Sequence, residues 1–375
     1  MPVRRLGVIG GGLMGGGIAI DAARHGFQVL VYDLRSDGVD ELRIRAASVY
    51  KRLIAGGRMN EKQAQIALAY IVAAPRLADL AGTDLIIEAV FEDLNVKSEV
   101  LQSLSSHLEP QTIVATNTSS LRVEQLAGSV RRPERFLGLH YFSPAEINPL
   151  VEVVSGKRTA ADTISRALEF LAATGRVPLR CRDTPGFAIN RFFCPYYNEA
   201  VRIFEEGIAP AIHIDRIARE KIGVAAGPFA VMNLIKPTVA AQAIGNLSQL
   251  GPFYRISTAL AERGKLATPW EIPDAPLPSA KIEQEILLRL LGAIFLPTIE
   301  LLIDEVANAD DVDKGARLAL KFAHGPSSLM RGCGRDFVMS AVNSVCVPRS
   351  HPLPRVTFLD DMFRNAGSQE SISLP

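Results

Sequence analysis

Cysteine is scarce: Cys181, Cys194, Cys333 and Cys346 are the only four in 375 residues, and none forms a C-x-x-C pair. That excludes a disulfide-stapled scaffold and a sequence-local thiol metal site, so no metal is expected. Scattered thiols, and no hydrophobic leader before the first strand-like run, predict a reducing, cytoplasmic compartment. Long uninterrupted apolar runs are also missing. The most apolar stretch, residues 286–303, is broken by Arg289, Pro297 and Glu300, which predicts a buried helix rather than a membrane span. Charge of one sign is lacking as well. With 41 basic and 40 acidic side chains the net charge is +1, there is no basic tail, and no nucleic-acid partner is expected. Any anionic ligand must be met locally.

What is abundant is aliphatic. Hydrophobic residues make up 48% of the chain and aromatics only 6%, enough for a sizeable core in two or three domains. The chain begins with an apolar run that ends in glycine and opens a helical pattern: Leu6-Gly7-Val8-Ile9-Gly10-Gly11-Gly12-Leu13-Met14-Gly15. Gly10 permits a tight turn, Gly12 lets backbone approach a phosphate, and Gly15 lets helix and strand pack closely. The helix start offers N–H groups and a positive dipole end to a pyrophosphate. A second run, Gln28 to Tyr32, ends at Asp33, where an NAD ribose needs a carboxylate. The competing reading is a structural turn with a surface aspartate. Asp33 would repel a 2′-phosphate and so favours NAD over NADP, while Arg35 keeps the second open.

From Arg4 to about Arg182, short aliphatic runs alternate with amphipathic ones. Strands are expected at 4–10, 28–33, 85–90, 112–117 and 135–142, and helices at 14–25, 39–56, 61–70 and 93–107. This predicts an α/β, Rossmann-like, doubly wound parallel sheet over 1–182, its edge extended by runs at 150–154 and 177–181. After Asp183-Thr184-Pro185-Gly186 strand-like runs nearly vanish. Two helical units are expected, 183–280 and 281–375, the second running to about Val345 and ending in a tail without clear period, with a Pro-rich linker at 268–278 between them. They look duplicated. Phe204-Glu205-Glu206, Asp215 and Gly227-Pro228 in the first parallel Ile303-Asp304-Glu305, Asp313 and Gly325-Pro326 in the second.

Four polar residues stand where strands should end or the helical region begin: Ser119, His140, Glu152 and Asn190. Ligands of open α/β sheets bind beyond the carboxyl ends of strands. A neutral imidazole suits removal of a hydroxyl proton near neutral pH. Glu152, alone among valines, is expensive to bury unless an imidazole pairs with it. Ser119 and Asn190 could hydrogen-bond a substrate oxygen. Each also has an ordinary reading, as a loop histidine, a solvated edge acid or a helix cap.

The motifs resemble the L-3-hydroxyacyl-CoA dehydrogenase family from Arg4 to about Gly227. They are Gly-Gly-Gly-Leu-Met-Gly at 10–15, Glu-Ala-Val-Phe-Glu-Asp-Leu-Asn-Val-Lys at 88–97, Asn-Thr-Ser-Ser-Leu at 117–121, Gly-Leu-His-Tyr-Phe-Ser-Pro at 138–144, Leu-Val-Glu-Val-Val at 150–154 and Asp-Thr-Pro-Gly-Phe-Ala-Ile-Asn-Arg at 183–191. The resemblance implies His140 as base, Glu152 as its partner, and Ser119 and Asn190 as substrate contacts. It implies NAD contacts at Gly10, Gly11, Gly12, Leu13, Met14, Gly15, Asp33, Glu92, Lys97 and Ser119. Ser48 and Lys51 are candidates for the CoA moiety, with a solvated helix face as an equal reading. Ser143-Pro144-Ala145 and the tandem helical units are similar to the dehydrogenase part of multifunctional β-oxidation proteins. Asn148-Pro149 replaces a stretch often basic in the family, and Gly264 to Thr268 replaces its basic, glycine-rich end. The expected activity is NAD-dependent oxidation of an acyl-CoA thioester substrate, or the reverse. A free hydroxyacid or carrier-protein thioester is the alternative substrate, and a non-catalytic nucleotide-binding sensor the alternative class. The expected assembly is a monomer or homodimer, with other β-oxidation enzymes as further partners.

Overall fold

A computed structural model of the chain describes residues 3–355 together with 360 and 363. It contains two compact units that divide between Asp183 and Thr184.

The first unit holds eight strands: β1 (Arg5–Ile9), β2 (Gln28–Tyr32), β3 (Ile71–Ala73), β4 (Leu85–Glu88), β5 (Ile113–Thr116), β6 (Phe136–Tyr141), β7 (Leu150–Ser155) and β8 (Val177–Arg182). Six helices connect them: α1 (Leu13–Arg24), α2 (Gly38–Ala55), α3 (Glu61–Ala69), α4 (Leu94–Ser105), α5 (Val123–Ala127) and α6 (Ala161–Ala173). The sheet order is β3-β2-β1-β4-β5-β6-β7-β8. Strands β4 and β5 are buried throughout, as a parallel sheet covered on both faces demands. The order reverses between β1 and β4, which opens a crevice at their carboxyl ends.

Two elements depart from the sequence reading. β3 is a three-residue edge strand with only Ile71 buried, too short to carry a pattern. β7 runs antiparallel to β6 although a parallel sheet was expected. The reason is the connection. Residues 142–149 are too few for a crossover, which needs about a dozen or more, so the chain must turn back. That reversal sets His140 directly opposite Glu152.

The second unit is helical: α7 (Ile189–Glu205), α8 (Ala211–Ile217), α9 (Pro228–Ile235), α10 (Pro237–Leu247), α11 (Thr258–Leu266), α12 (Ala280–Ile303), α13 (Ala309–Leu320), α14 (Pro326–Cys333) and α15 (Arg335–Cys346). Among the described residues α12 is the one helix long and apolar enough to span a membrane, and most of it is buried inside this unit. It packs against α7 and α15, and a Cβ at Gly292 would lie 2.1 Å from the Ala341 carbonyl oxygen. Residues 268–278, the expected linker, form neither helix nor strand. Trp270 pins the linker, because its backbone exchanges two hydrogen bonds with Asn233 and its ring meets Phe229 at 5.1 Å.

The duplication appears as one device built twice. Asp215 accepts the N–H groups of Phe229 and Ala230 at the start of α9, and Asp313 accepts those of Ser327 and Ser328 at the start of α14. The sequence alignment of the halves needs one correction. Glu206 and Asp304 each follow the last residue of α7 and α12, so Glu206 matches Asp304 rather than Glu305. The same interval then relates the positive-φ residues Gly207 and Glu305, Gly223 and Lys321, and Lys236 and Gly334. A Cβ at Gly227 or Gly325 would sit 2.3 Å from the capping aspartate. Gly325→Ala must therefore displace Asp313 and is expected to destabilise by about 1–3 kcal/mol. Urea denaturation checks this, and an unchanged midpoint would contradict the packing.

Candidate active site

The glycine-rich turn follows β1. Gly10 has φ +96° and donates its N–H to the Tyr32 carbonyl, and a Cβ there would lie 2.8 Å from the Ala89 carbonyl oxygen. A Cβ at Gly15 would lie 2.0 Å from the Gly10 carbonyl oxygen, so only glycine lets α1 begin this close to β1. Gly12 and Leu13 are exposed, Met14 is half-buried and Gly11 is buried. The first turn of α1 has no side-chain cap, and its N–H groups lack intrahelical acceptors. Asp33, just past β2, accepts the Gly11 N–H at 2.6 Å and the Arg35 N–H at 2.8 Å. Each of its oxygens keeps a second lone pair for a ribose hydroxyl. Arg35 itself is held by Glu41. An open helix start with an acid beside it fits a dinucleotide.

Beyond β4 and β5 lies a buried ionic cluster. Glu88 closes β4 and accepts from Lys97 Nζ at 2.8 Å, Thr116 Oγ1 at 2.7 Å and the Val90 N–H at 2.7 Å. Lys97, 1% exposed, also reaches Glu92 at 3.3 Å. Glu92 Oε1 accepts from Thr118 Oγ1 at 2.6 Å and from the Ser119 and Ser120 N–H groups at 2.8 and 3.0 Å. Burial pushes the Glu92 carboxyl up, but the Lys97 charge and these donors outweigh it and hold it below the usual range. Lys97 thus stands behind Glu92 and orients it, and Glu92 in turn shapes the turn that carries Ser119.

His140 lies near the end of β6, where its Nδ1 is 2.6 Å from Glu152 Oε2. Glu152 is fully buried and His140 5% exposed. Phe142 stacks obliquely on the imidazole, with centroids 4.4 Å apart. A carboxylate at Nδ1 fixes the tautomer with that nitrogen protonated, which leaves Nε2 as the basic position. Asn117 Oδ1 accepts the Tyr141 N–H at 2.8 Å and so ties the end of β5 to the end of β6.

Two segments match descriptions of one family: residues 5–184 match "3-hydroxyacyl-CoA dehydrogenase, NAD binding domain" and 186–268 its C-terminal domain. The mitochondrial hydroxyacyl-coenzyme A dehydrogenase of Homo sapiens is 36% identical over 243 residues, 62% of this chain and 76% of that enzyme. The chain belongs to the 3-hydroxyacyl-CoA dehydrogenase family. The 3-hydroxyadipyl-CoA dehydrogenase of Escherichia coli K12 is 39% identical over 237 residues, covering 62% of this chain but only 49% of that relative. The chain thus spans about half that relative's length. A crystal structure of 3-hydroxybutyryl-CoA dehydrogenase from E. coli K12 superposes with a TM-score of 0.87 at 24% identity, over 98% of this chain and 100% of that one. That likeness extends the shared fold through the second helical half.

In this member of the 3-hydroxyacyl-CoA dehydrogenase family the remaining expected residues are placed as follows. Ser48 and Lys51 lie one turn apart on the exposed face of α2. Asn190 is in the first turn of α7, in the second unit. Glu88 was not singled out, and its signal is an acid closing three buried aliphatics. Asn117 and Asp183 were passed over as single residues. Asp183 accepts the Val123 and Glu124 N–H groups, both at 2.8 Å, and caps α5. Arg45 was missed too. From α2 it donates to the Leu13 carbonyl at 2.9 Å and to both oxygens of Glu146 at 2.9 Å, tying the glycine turn to the β6–β7 connection.

Proposed function

We propose that the chain oxidises L-3-hydroxyacyl-CoA thioesters to 3-oxoacyl-CoA with NAD, or runs the reverse. The single observation that carries this is the buried His140–Glu152 pair at 2.6 Å, at the carboxyl end of a strand of the NAD-binding domain. In the oxidation direction the substrate hydroxyl proton passes to His140 Nε2. The Nδ1–H donates to Glu152, whose charge orients the ring and stabilises the imidazolium as it forms. In reduction the same imidazolium returns its proton to the carbonyl oxygen. Ser119 and Asn190 hydrogen-bond that oxygen. NAD, when bound, supplies the hydride acceptor. The exposed start of α1 holds the pyrophosphate, Asp33 the adenosine ribose and Glu92 the nicotinamide side. Ser48 and Lys51 face the CoA end.

Two measurements test this. NADH oxidation is followed with acetoacetyl-CoA, a long-chain 3-oxoacyl-CoA and free acetoacetate. Turnover with the thioesters well above the free acid is expected, and turnover of the free acid alone would move the assignment to a hydroxyacid dehydrogenase. The second concerns Asp33. Removing its charge-assisted hydrogen bonds in Asp33→Ala is expected to weaken NAD roughly ten- to hundredfold. NADP binding changes less, so the preference narrows. A variant that binds NAD as tightly as the unmodified protein contradicts the ribose contact.

A further inference from the structure

The two helical halves share an arginine but not the residue before it. Arg191 follows Asn190 in α7, and the residue at the matching place in α12, Arg289, follows Leu288. The repeat interval that links Asp215 to Asp313 also links Arg191 to Arg289 and Glu206 to Asp304. Each arginine reaches across to the acid at the end of the other half's long helix. Arg191 Nη2 donates to Asp304 at 2.9 Å, and Arg289 Nη2 donates to Glu206 at 3.0 Å. The acids are matched in environment as well, with side chains 52% and 48% exposed. The arginine is therefore common to both halves, while the carboxamide exists in one.

Around Arg191 a first-half tyrosine links the guanidinium to the second half. Tyr254 lies with its ring centroid 5.9 Å from the guanidinium, and its hydroxyl donates to Glu300 of α12. Glu300 Oε1 is 2.9 Å from His351 Nε2. The Arg191 N–H donates to the Gly186 carbonyl, where φ is +76°. Burial would lower the Arg191 pKa, but Tyr254, Glu300 and Asp304 raise it overall, so its charge is secure. A guanidinium held by Asp304 on one side and Tyr254 on the other restrains the rotation of the helix turn that carries it. Its neighbour in that turn is Asn190.

We infer that the second helical half is a positioning device for Asn190, acting on Arg191 through Asp304 and through the Tyr254–Glu300 pair. The inference rests on the proposed reading of Asn190 as a contact to the substrate oxygen. Asp304 and Glu300 are positioning residues that touch Arg191 or its partner; of these residues only Asn190 meets substrate. Leu288 explains why the second half does this without a site of its own.

The repeat supplies its own control. Asp304→Asn and Glu206→Gln each remove one of the matched acids, but only the first releases the arginine next to Asn190, and Arg289 keeps Glu199 at 2.8 Å. Both are expected to lower the melting temperature, Glu206→Gln by less because Arg289 retains Glu199. Asp304→Asn and Glu300→Gln are expected to lower kcat about ten- to a hundredfold with KM for NAD unchanged. Glu206→Gln stays within about twofold of the unmodified protein, and Asp304→Glu recovers most of the loss. Equal loss of kcat in Asp304→Asn and Glu206→Gln, or none in Asp304→Asn and Glu300→Gln, overturns the inference. A second readout does not depend on turnover. Amide hydrogen exchange over residues 189–193 is expected to accelerate in Asp304→Asn and not in Glu206→Gln, and the opposite pattern overturns the inference even if the protein proves inactive on acyl-CoA. An inactive unmodified protein would refute the proposed reaction, and the exchange data would still decide the positioning.

Discussion

Replacing His140 with alanine is expected to lower turnover by about 10²–10⁴ while NAD affinity changes little. The two effects separate because the groups do. The pyrophosphate site is the start of α1, after β1, and the imidazole sits on β6, three strands away in the sheet order. Glu152→Gln keeps the side chain's shape at the position opposite His140 but removes the charge 2.6 Å from Nδ1. Turnover should fall strongly, with substrate binding less affected. Steady-state kinetics and NADH binding measured on the same preparations check both statements. Near-normal turnover of His140→Ala would mean that another group takes the proton.

The second large effect is on stability. Lys97 is enclosed between Glu88 and Glu92, with its ammonium 2.8 and 3.3 Å from their carboxylates. Lys97→Met removes the cation and leaves Glu88, which is fully buried, without its countercharge. Breaking a buried pair in this way costs about 3–5 kcal/mol. Glu88→Gln in that background should recover part of the loss, because an amide needs no countercharge. The pH dependence follows from Glu92, whose folded pKa lies below its ordinary value. Its stabilisation is complete above the unfolded carboxylate value of about 4.3 and is lost as pH falls through the lower folded value. Lys97→Met takes away the charge that opposes burial, so the variant should begin to lose stability at a higher pH than the unmodified protein. Guanidinium unfolding at several pH values measures both shifts. A variant as stable as its parent would show that the cluster contributes nothing net.

Different parts of the site were legible in the sequence to different degrees. Gly10 to Gly15 and Asp33 could be read directly, because a phosphate turn is made by residues close in sequence and its acid closes the next strand. His140 and Glu152 could each be named as odd polar residues, but their pairing could not be derived from spacing. It depends on antiparallel register, and the clue was the short stretch between the two runs rather than either run itself. The Glu88–Lys97 cluster was less visible still. Lys97 is a cation on an amphipathic helix, which normally faces water, and only the packing of α4 beside β4 and β5 encloses it. The strand β3 was missed because three residues at a sheet edge carry no periodicity. In the helical half the Asp215 to Gly227 and Asp313 to Gly325 spacing revealed the repeat, since a capping carboxylate and a glycine in contact must keep their distance. The ends of α7 and α12 were aligned one residue out, because acidic doublets at helix ends are common and do not fix register. The exchange of Arg191 and Arg289 between halves has no sequence signal until that register is known.

The most direct measurement is the turnover of the His140→Ala/Glu152→Gln double variant beside the two single variants. If Glu152 acts only through the imidazole, the double variant is expected to turn over about as slowly as His140→Ala alone, because both changes remove one proton transfer. A double variant slowed by the full product of the two single losses would show that Glu152 acts independently, and would contradict the paired base on which this account rests.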